Sequence, residues 1–394
     1  MPPKRVLLAY LNTGGGHRSA ALAVAEALKA SYGAAVDALA VDVTARHFRW
    51  PLSDLNAAYE HLVGWKGQPW GLTYHLLNTT GRIRFLEPLW WHLTRAPILE
   101  LVADTKPDAV VCCHPLLKAP LAKTLRRRGD SASLVTLVTD LASGHAAWFH
   151  PVEGHCLVPT EEARGDALRC GLAQDSVVVT GLPVGSAFVQ AAGLSRAEAR
   201  RRVGLLPDKP AVVVIAGADG MGPFQALLRP LLEKGSTAQI VAITGRNERL
   251  RNRLRAIAWP RRLHVTGFVE NMHEWMAAAD VLVTKAGPGT IAEALVVGVP
   301  MMLCGAVPGQ EPPNVRYAVE SGAAVWAPDP TRAAQTAHRL LWDERDTLRE
   351  MRRRAASAGR PDAARSVAAF IWEAVRGSGD RSFDESGDRD WADR

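Results

Sequence analysis

Val281-Leu282-Val283-Thr284-Lys285-Ala286-Gly287-Pro288-Gly289-Thr290-Ile291-Ala292-Glu293-Ala294 reads as a buried strand, a sharp turn and the opening of a helix. The apolar, β-branched start is the mark of a strand covered on both faces. Gly287-Pro288-Gly289 then turns the chain. Proline suits a first helical position because the N–H it lacks has no partner there anyway. The backbone N–H groups of Gly289, Thr290 and Ile291 are read as free, with the positive end of the helix dipole behind them. That is a diphosphate site that needs no metal. Thr290 adds a hydroxyl donor. Glu293 would repel phosphate, so a ribose diol is its natural partner. The bland alternative is an ordinary capped helix.

The same strand-to-helix alternation extends both ways. Arg5–Leu11, Ala109–Cys113, Ser133–Thr139, Cys156–Val158 and Val177–Thr180 are short apolar runs in the first half. Pro210–Ala216, Gln239–Thr244, Leu263–Thr266 and Pro300–Leu303 follow in the second, with helical patterns between. Apolar strands alternating with helices give parallel sheets with helices on both faces, hence an α/β fold. Ser195 with Glu198 three residues on makes a capping box near the junction. The division is one domain over residues 1–185, a second over 186–362, an amphipathic helix at 363–376 and a tail at 377–394. The tail holds six acids and three arginines among Gly and Ser, a composition with nothing to bury.

The 394 residues suit two domains, and 47% hydrophobic with 22% charged is a globular balance. The longest apolar stretch, Ala294 to Val307, is interrupted by Gly298, Pro300 and Gly305 and falls short of a membrane span. Val6–Leu11 is too short for a signal peptide, so the expected location is the cytoplasm. The five cysteines are odd in number and form no C-x-x-C pair, which argues against disulfides and zinc. A net charge of +7 favours anionic partners. The arginine triplets at 126–128, 200–202 and 352–354 lie on separate helical segments, which argues against nucleic acid. Gly64–Leu99 mixes Trp65, Trp70, Trp90 and Trp91 with Lys66, Arg82, Arg84 and Arg95 against one acid, Glu87. Such a mixture suits an anionic membrane surface, or else a helical subdomain with tryptophans in its core.

Further candidates sit at strand ends, where open α/β sheets bind ligands. Asn12-Thr13-Gly14-Gly15-Gly16-His17-Arg18-Ser19 follows the first strand. It is neither a dinucleotide fingerprint nor a P-loop. Its histidine is the candidate base for an attacking hydroxyl, or merely a helix cap. Gly217-Ala218-Asp219-Gly220-Met221-Gly222-Pro223 is a second close-approach loop. Gln310, Glu311 and Asn314 can bond sugar hydroxyls. Asp140 could orient a catalytic histidine or bind the acceptor, with His145 and His150 downstream. Their spacing is not that of a metal set.

Gly14 to Ser19, Val138-Thr139-Asp140-Leu141, Gly220 to Pro223, Thr244-Gly245-Arg246-Asn247, Thr284 to Glu293, and Gly309-Gln310-Glu311 with Asn314 resemble the monogalactosyldiacylglycerol synthases and processive diacylglycerol glucosyltransferases. More distantly the chain is similar to the peptidoglycan transferase MurG of glycosyltransferase family 28. The resemblance implies a GT-B fold: two Rossmann-like domains facing a cleft, the last helix crossing back to the first. It implies an inverting hexosyltransferase, without cofactor or metal, that moves galactose or glucose from UDP-galactose or UDP-glucose to diacylglycerol. His17 becomes the base, with Asp140 beside it. Donor contacts fall on Gly15, Gly16, Gly220, Met221, Gly222, Arg246, Phe268, Val269, Gly287, Gly289, Thr290, Glu293, Gln310, Glu311 and Asn314. The implied setting is peripheral, on the inner face of the cell membrane. Ala216-Gly217-Ala218-Asp219 departs from the glycine-rich run such enzymes carry before Gly-Met-Gly. A transferase with another acceptor, or a UDP-sugar epimerase on the same fold, is the alternative.

Overall fold

The computed structural model describes residues 2–13, 15–48, 52–54, 68–129, 131–215, 224–233, 237–257, 259–260 and 262–377. Gly14, the loop at 216–223 with Gly220, Met221 and Gly222, the start of the aromatic segment and the tail from 378 lie outside them.

Two six-stranded parallel sheets carry the chain. In the first, β1 (Lys4–Tyr10), β2 (Val36–Asp42), β3 (Ala109–Cys112), β4 (Ser133–Leu137), β5 (His155–Val158) and β6 (Val177–Val179) lie in the order β2-β1-β3-β4-β5-β6. In the second, β7 (Ala211–Ile215), β8 (Gln239–Ile243), β9 (Leu263–Thr266), β10 (Val281–Lys285), β11 (Met301–Gly305) and β12 (Ala324–Trp326) lie in the order β12-β11-β10-β7-β8-β9. Leu8 pairs with Ala40 and Val111; Leu282 pairs with Val213 and Met301. Apolar residues such as Val212 and Val213 point to opposite faces and feed two cores, one on each side of the second sheet. This is the expected two-sheet GT-B architecture. The edge strands β2 and β12 have no long apolar run because each is half-exposed, so the sequence pattern passed over them.

Strand order decides where ligands go. In the first sheet, β1 lies between β2 and β3, so the chain leaves it to one side and returns on the other. In the second, β7 lies between β8 and β10 and does the same. The crevice at such a reversal, beyond the carboxyl ends of the strands, is the binding place of open α/β sheets. It brings the β1 loop beside the end of β3, and the end of β10 beside the end of β7.

Helix α1 (Gly16–Tyr32) opens three residues earlier than its apolar face suggests, with Gly15 as N-cap at φ 76°. Only glycine holds that left-handed backbone cheaply. α2 (Gln68–Leu77) leads into α3 (Thr80–Thr105), and α3 and α4 (Pro115–Arg128) cover the first sheet's other side. α5 (Arg196–Arg202), α6 (Met272–Ala278), α7 (Pro288–Val297), α8 (Pro312–Glu320) and α9 (Arg345–Ala358) belong to the second half. α10 (Ala363–Gly377) packs on α1, and Ala364, Val367, Ala368, Ile371 and Val375 join Val24, Leu28, Val111 and Leu137 in one core. Tyr32 stacks on Trp372 with ring centroids 4.4 Å apart.

The aromatic segment rearranges the expectation made for it. Trp91 is buried, with Lys123 and Arg127 over its ring. Trp90 Nε1 donates to Leu116 O, 2.7 Å. Trp70 and Trp91 face protein; the exposed apolar side chains include Leu72 and Leu76 on α2, and Phe85, Leu89 and Leu93 on α3, with Leu86 beside them. Both rows follow the i, i+4 spacing that puts side chains on one helix face. No helix among the described residues is long and apolar enough to cross a membrane.

Ile371 is fully buried against the first sheet. Ile371→Ala is expected to lower stability by about 2–5 kcal/mol, read as an earlier urea midpoint. An unchanged midpoint would mean that α10 does not complete that core.

Candidate active site

One cleft of about 320 Å³ lies between the two sheets, lined from both halves. The first half supplies Gly15, Gly16, His17, Thr139 and Asp140. The second supplies Arg246, Phe268, Val269, Gly287, Gly289, Thr290, Glu293, Gln310 and Glu311. The two helix starts adjoin: a Cβ added to Gly289 would stand 3.9 Å from Gly16 Cα. The positive ends of α1 and α7 therefore converge on one space, each equivalent to roughly half a charge.

Ile291 N donates to Gly287 O at 3.0 Å. That corrects the expected trio of free N–H groups: Ile291 is satisfied inside α7, and the cradle narrows to Gly289 and Thr290. Ser19 N likewise closes on Gly15 O at 3.0 Å. Glu293, one helical turn on, lines the cleft. Burial pushes its carboxyl up to about 8. A carboxyl in that state awaits hydroxyls, not cations.

His17 sits in the first turn of α1. Its Nδ1 is 2.6 Å from Thr139 Oγ1, and its ring stands edge to face with His114 at 4.5 Å. Burial holds its pKa down at about 4, with a backbone hydrogen bond at Cys113 acting the other way. The ring is therefore unprotonated near neutral pH, as a proton acceptor must be. His114 is a site residue the sequence reading missed. Its Nδ1 accepts from Leu116 N at 3.3 Å, so Nε2 carries the proton and donates to Thr13 Oγ1 at 3.0 Å. The missed signal was its position directly after β3, next to the β1 loop at the strand reversal.

Asp140 does not orient His17; its neighbour Thr139 makes that contact. Asp140 Oδ2 accepts from Trp148 Nε1 at 2.7 Å and Oδ1 from Gln310 Nε2 at 3.3 Å. Burial raises its pKa despite those bonds. Gln310 Oε1 in turn accepts from Trp70 Nε1 at 3.3 Å. Beside that bond, Gly71 packs on Pro308 and Gly309 on Tyr74. The sequence-predicted sugar contact Gln310 thus also joins α2 to Asp140.

Glu311 is buried. Its Oε2 accepts from Val307 N at 2.7 Å and its Oε1 pairs with Lys285 Nζ. Lys285 lines the cleft and is the second residue the reading missed, although it stood inside the deciding stretch. Asn314 does not line the cleft. Its Oδ1 accepts from Ala142 N at 3.2 Å and its Nδ2 donates to Ala286 O at 3.1 Å, pinning one half to the other. His145 caps the short helix Ala146–Trp148, and His150 pairs with Glu87 at 3.0 Å; neither reaches the cleft. Arg246 lies over the Phe268 ring, 5.1 Å from its centroid. No cluster of three metal-ligating side chains occurs among the described residues.

Residues 17–184 match the family model described as monogalactosyldiacylglycerol (MGDG) synthase, and residues 211–365 match the glycosyltransferase family 28 C-terminal domain. Monogalactosyldiacylglycerol synthase, chloroplastic, of Spinacia oleracea is 34% identical over 387 residues, spanning 95% of this chain and 73% of that protein. Monogalactosyldiacylglycerol synthase 1, chloroplastic, of Arabidopsis thaliana is 33% identical over 387 residues, spanning 95% and 72%. Among solved structures, S. aureus MnaA with UDP superposes with a TM-score of 0.63 at 15% identity, over 95% of this chain and 97% of that one. Acinetobacter baumannii MurG does so with 0.58 at 18%, over 94% and 100%. At such identities the structural likeness speaks for the fold alone. The relatives' names overturn the expected cytoplasmic setting on the inner face of the cell membrane, since these relatives are chloroplastic.

Because the folded protein holds Glu293 protonated up to about 8 while the unfolded chain ionises it near 4.5, the group costs stability as pH rises through that window. Glu293→Gln should therefore stabilise the ligand-free protein at pH 8, by on the order of 1–3 kcal/mol, and leave it unchanged below pH 4.5. Thermal melts at both pH values decide; no gain at pH 8 would place the carboxylate in contact with water or a cation.

Proposed function

This chain belongs to the monogalactosyldiacylglycerol synthase family and is a UDP-sugar-dependent hexosyltransferase, and we propose that it moves galactose from UDP-galactose to diacylglycerol with inversion at the anomeric carbon. One observation carries the reading: His17 in the first turn of α1 and the glycine start of α7 line one cleft, with Gly16 and Gly289 side by side.

The donor's diphosphate lies on the N–H groups of Gly289 and Thr290, with Glu293 on the ribose. Gln310 and Glu311 face the hexose. The acceptor hydroxyl enters from the first half and attacks C1 opposite the diphosphate. His17 takes its proton, with the Thr139 contact fixing the ring. The bond from C1 to the diphosphate oxygen breaks, and UDP leaves against α7 and Lys285. Charge that develops there meets dipoles already in place, so little reorganisation opposes the step. The exposed rows Leu72–Leu76 and Phe85–Leu89–Leu93, rimmed by Arg82, Arg84 and Arg95, supply a face for a lipid surface from which diacylglycerol is drawn.

His17→Ala should lower turnover by about 10²–10⁴ and leave UDP affinity, measured by calorimetry, unchanged; normal turnover would put the base elsewhere. Over diacylglycerol vesicles, mass analysis should find a hexosyl lipid from UDP-galactose, and product from UDP-glucose alone would reverse the donor assignment. Phe85→Glu with Leu89→Glu should slow turnover on vesicles by roughly tenfold or more, since each large apolar side chain is worth ~1.5–3 kcal/mol on burial. Turnover on detergent-dispersed acceptor should hold. Equal losses on both would deny the face its role.

A further inference from the structure

A second cavity, of about 610 Å³, opens at the far end of the second half, at the N-terminal ends of its strands. Its walls come from α5, α6, α9 and the C-terminal end of α7. Three guanidinium groups line it, from Arg196, Arg200 and Arg352, and no lining residue is acidic. Below them Asp280 opens β10. Its Oδ2 accepts from Arg200 Nη2 at 2.5 Å and from Ala211 N at 2.8 Å, and its Oδ1 lies 3.4 Å from Arg196 Nε. Asp208 lies close enough to affect Arg200 but outside the lining.

The charges do not balance. Arg200 is buried and nearly used up: Nε donates to Ala278 O and Nη1 to Pro207 O, both at 3.1 Å. Asp280, shared between Arg200 and Arg196, offsets one of the three positive charges. Arg352 donates from Nη2 to Ala279 O at 3.1 Å, which leaves Nε and Nη1 of the same plane. Arg196 remains half-exposed at the rim, at 44%. Burial, then the neighbouring charge of Arg196, brings Arg352 down to about 10, so it stays charged at neutral pH while repelled by its neighbour. A fold that only needed to fasten β10 to α5 needs one arginine on Asp280. Two more, converging on open volume, are destabilising unless an anion lies between them. Guanidinium planes are suited to phosphate oxygens, which accept two parallel N–H bonds.

We propose that this cavity binds a phosphate-class dianion between Arg196 and Arg352, at a site separate from the donor cleft. α7 connects the two places: ten residues, about 15 Å, run from the cradle at Pro288 to the cavity floor at Val297. The volume exceeds that of a bare phosphate, so the ligand is either the free ion or an ester whose organic part fills the remainder.

The test is a thermal-shift and calorimetric titration of the whole protein with inorganic phosphate at constant ionic strength, chloride balancing, with and without UDP. Phosphate should raise the melting temperature saturably, and the effect should persist when UDP is present. Arg196→Gln should weaken phosphate binding by about tenfold or more, the loss of one charge-assisted pair, and leave UDP binding as it was. Arg352→Gln should do the same; Arg196, exposed and remote from the core, keeps the test open if that second variant folds poorly. No saturable effect beyond chloride, a full effect in Arg196→Gln, or loss of the effect on adding UDP would each overturn the proposal. Glycerol 3-phosphate in a parallel titration separates the sources: tighter binding than inorganic phosphate assigns an ester, equal binding the free ion.

Discussion

Two helices begin beside one another, and a glycine stands at each start. Gly16 opens α1 and Gly289 sits in the first turn of α7, close enough that the backbones themselves bound the cleft. The close approach has an electrostatic result: the unpaired N–H groups of two helices, from two separate sheets, face one volume. Everything else in the site is arranged around that positive focus. His17 follows Gly16 by one residue, and Glu293 follows Gly289 by one turn. Lys285 and Glu311 neutralise each other at its edge.

Strand order explains why those helices meet. Each sheet reverses direction once, and each reversal leaves a crevice at the carboxyl edge. When two such edges face one another, the loop after β1 and the turn after β10 become neighbours without any direct sequence relation. His114 enters the site for the same reason, since β3 is the strand across the reversal from β1. Burial does the rest of the chemistry. It keeps His17 unprotonated and Glu293 protonated, two shifts in opposite directions from one cause, because in both cases the neutral form is the one that tolerates being dried.

Ten of the twelve strands, the edge strands β6 and β9 among them, the glycine turns and the helix starts were legible because each is a local pattern: apolar runs, a proline at a first turn, a capping serine. What escaped was non-local. Nothing near Asn314 in sequence says that it ties Ala142 to Ala286, and nothing near Thr139 says that it, and not Asp140, touches His17. The tryptophans of the aromatic segment misled because indole has both an apolar body and a donor. In Trp70 and Trp90 the donor found protein acceptors, Gln310 and the Leu116 carbonyl, and the outward face was left to leucine and phenylalanine. The edge strands β2 and β12 were missed because half of each is wet.

α10 leaves the second half and finishes the core of the first, and that has a consequence for the order in which the protein is made. A nascent chain folds its domains from the N-terminus as they emerge. Here the sheet translated earliest keeps a gap over Val24, Leu28 and Val111 until Val367 and Ile371 leave the ribosome, after the second sheet has already been synthesised. The first half is thus begun before the second and sealed after it, and its apolar groove stays open to chaperones until both sheets have been made.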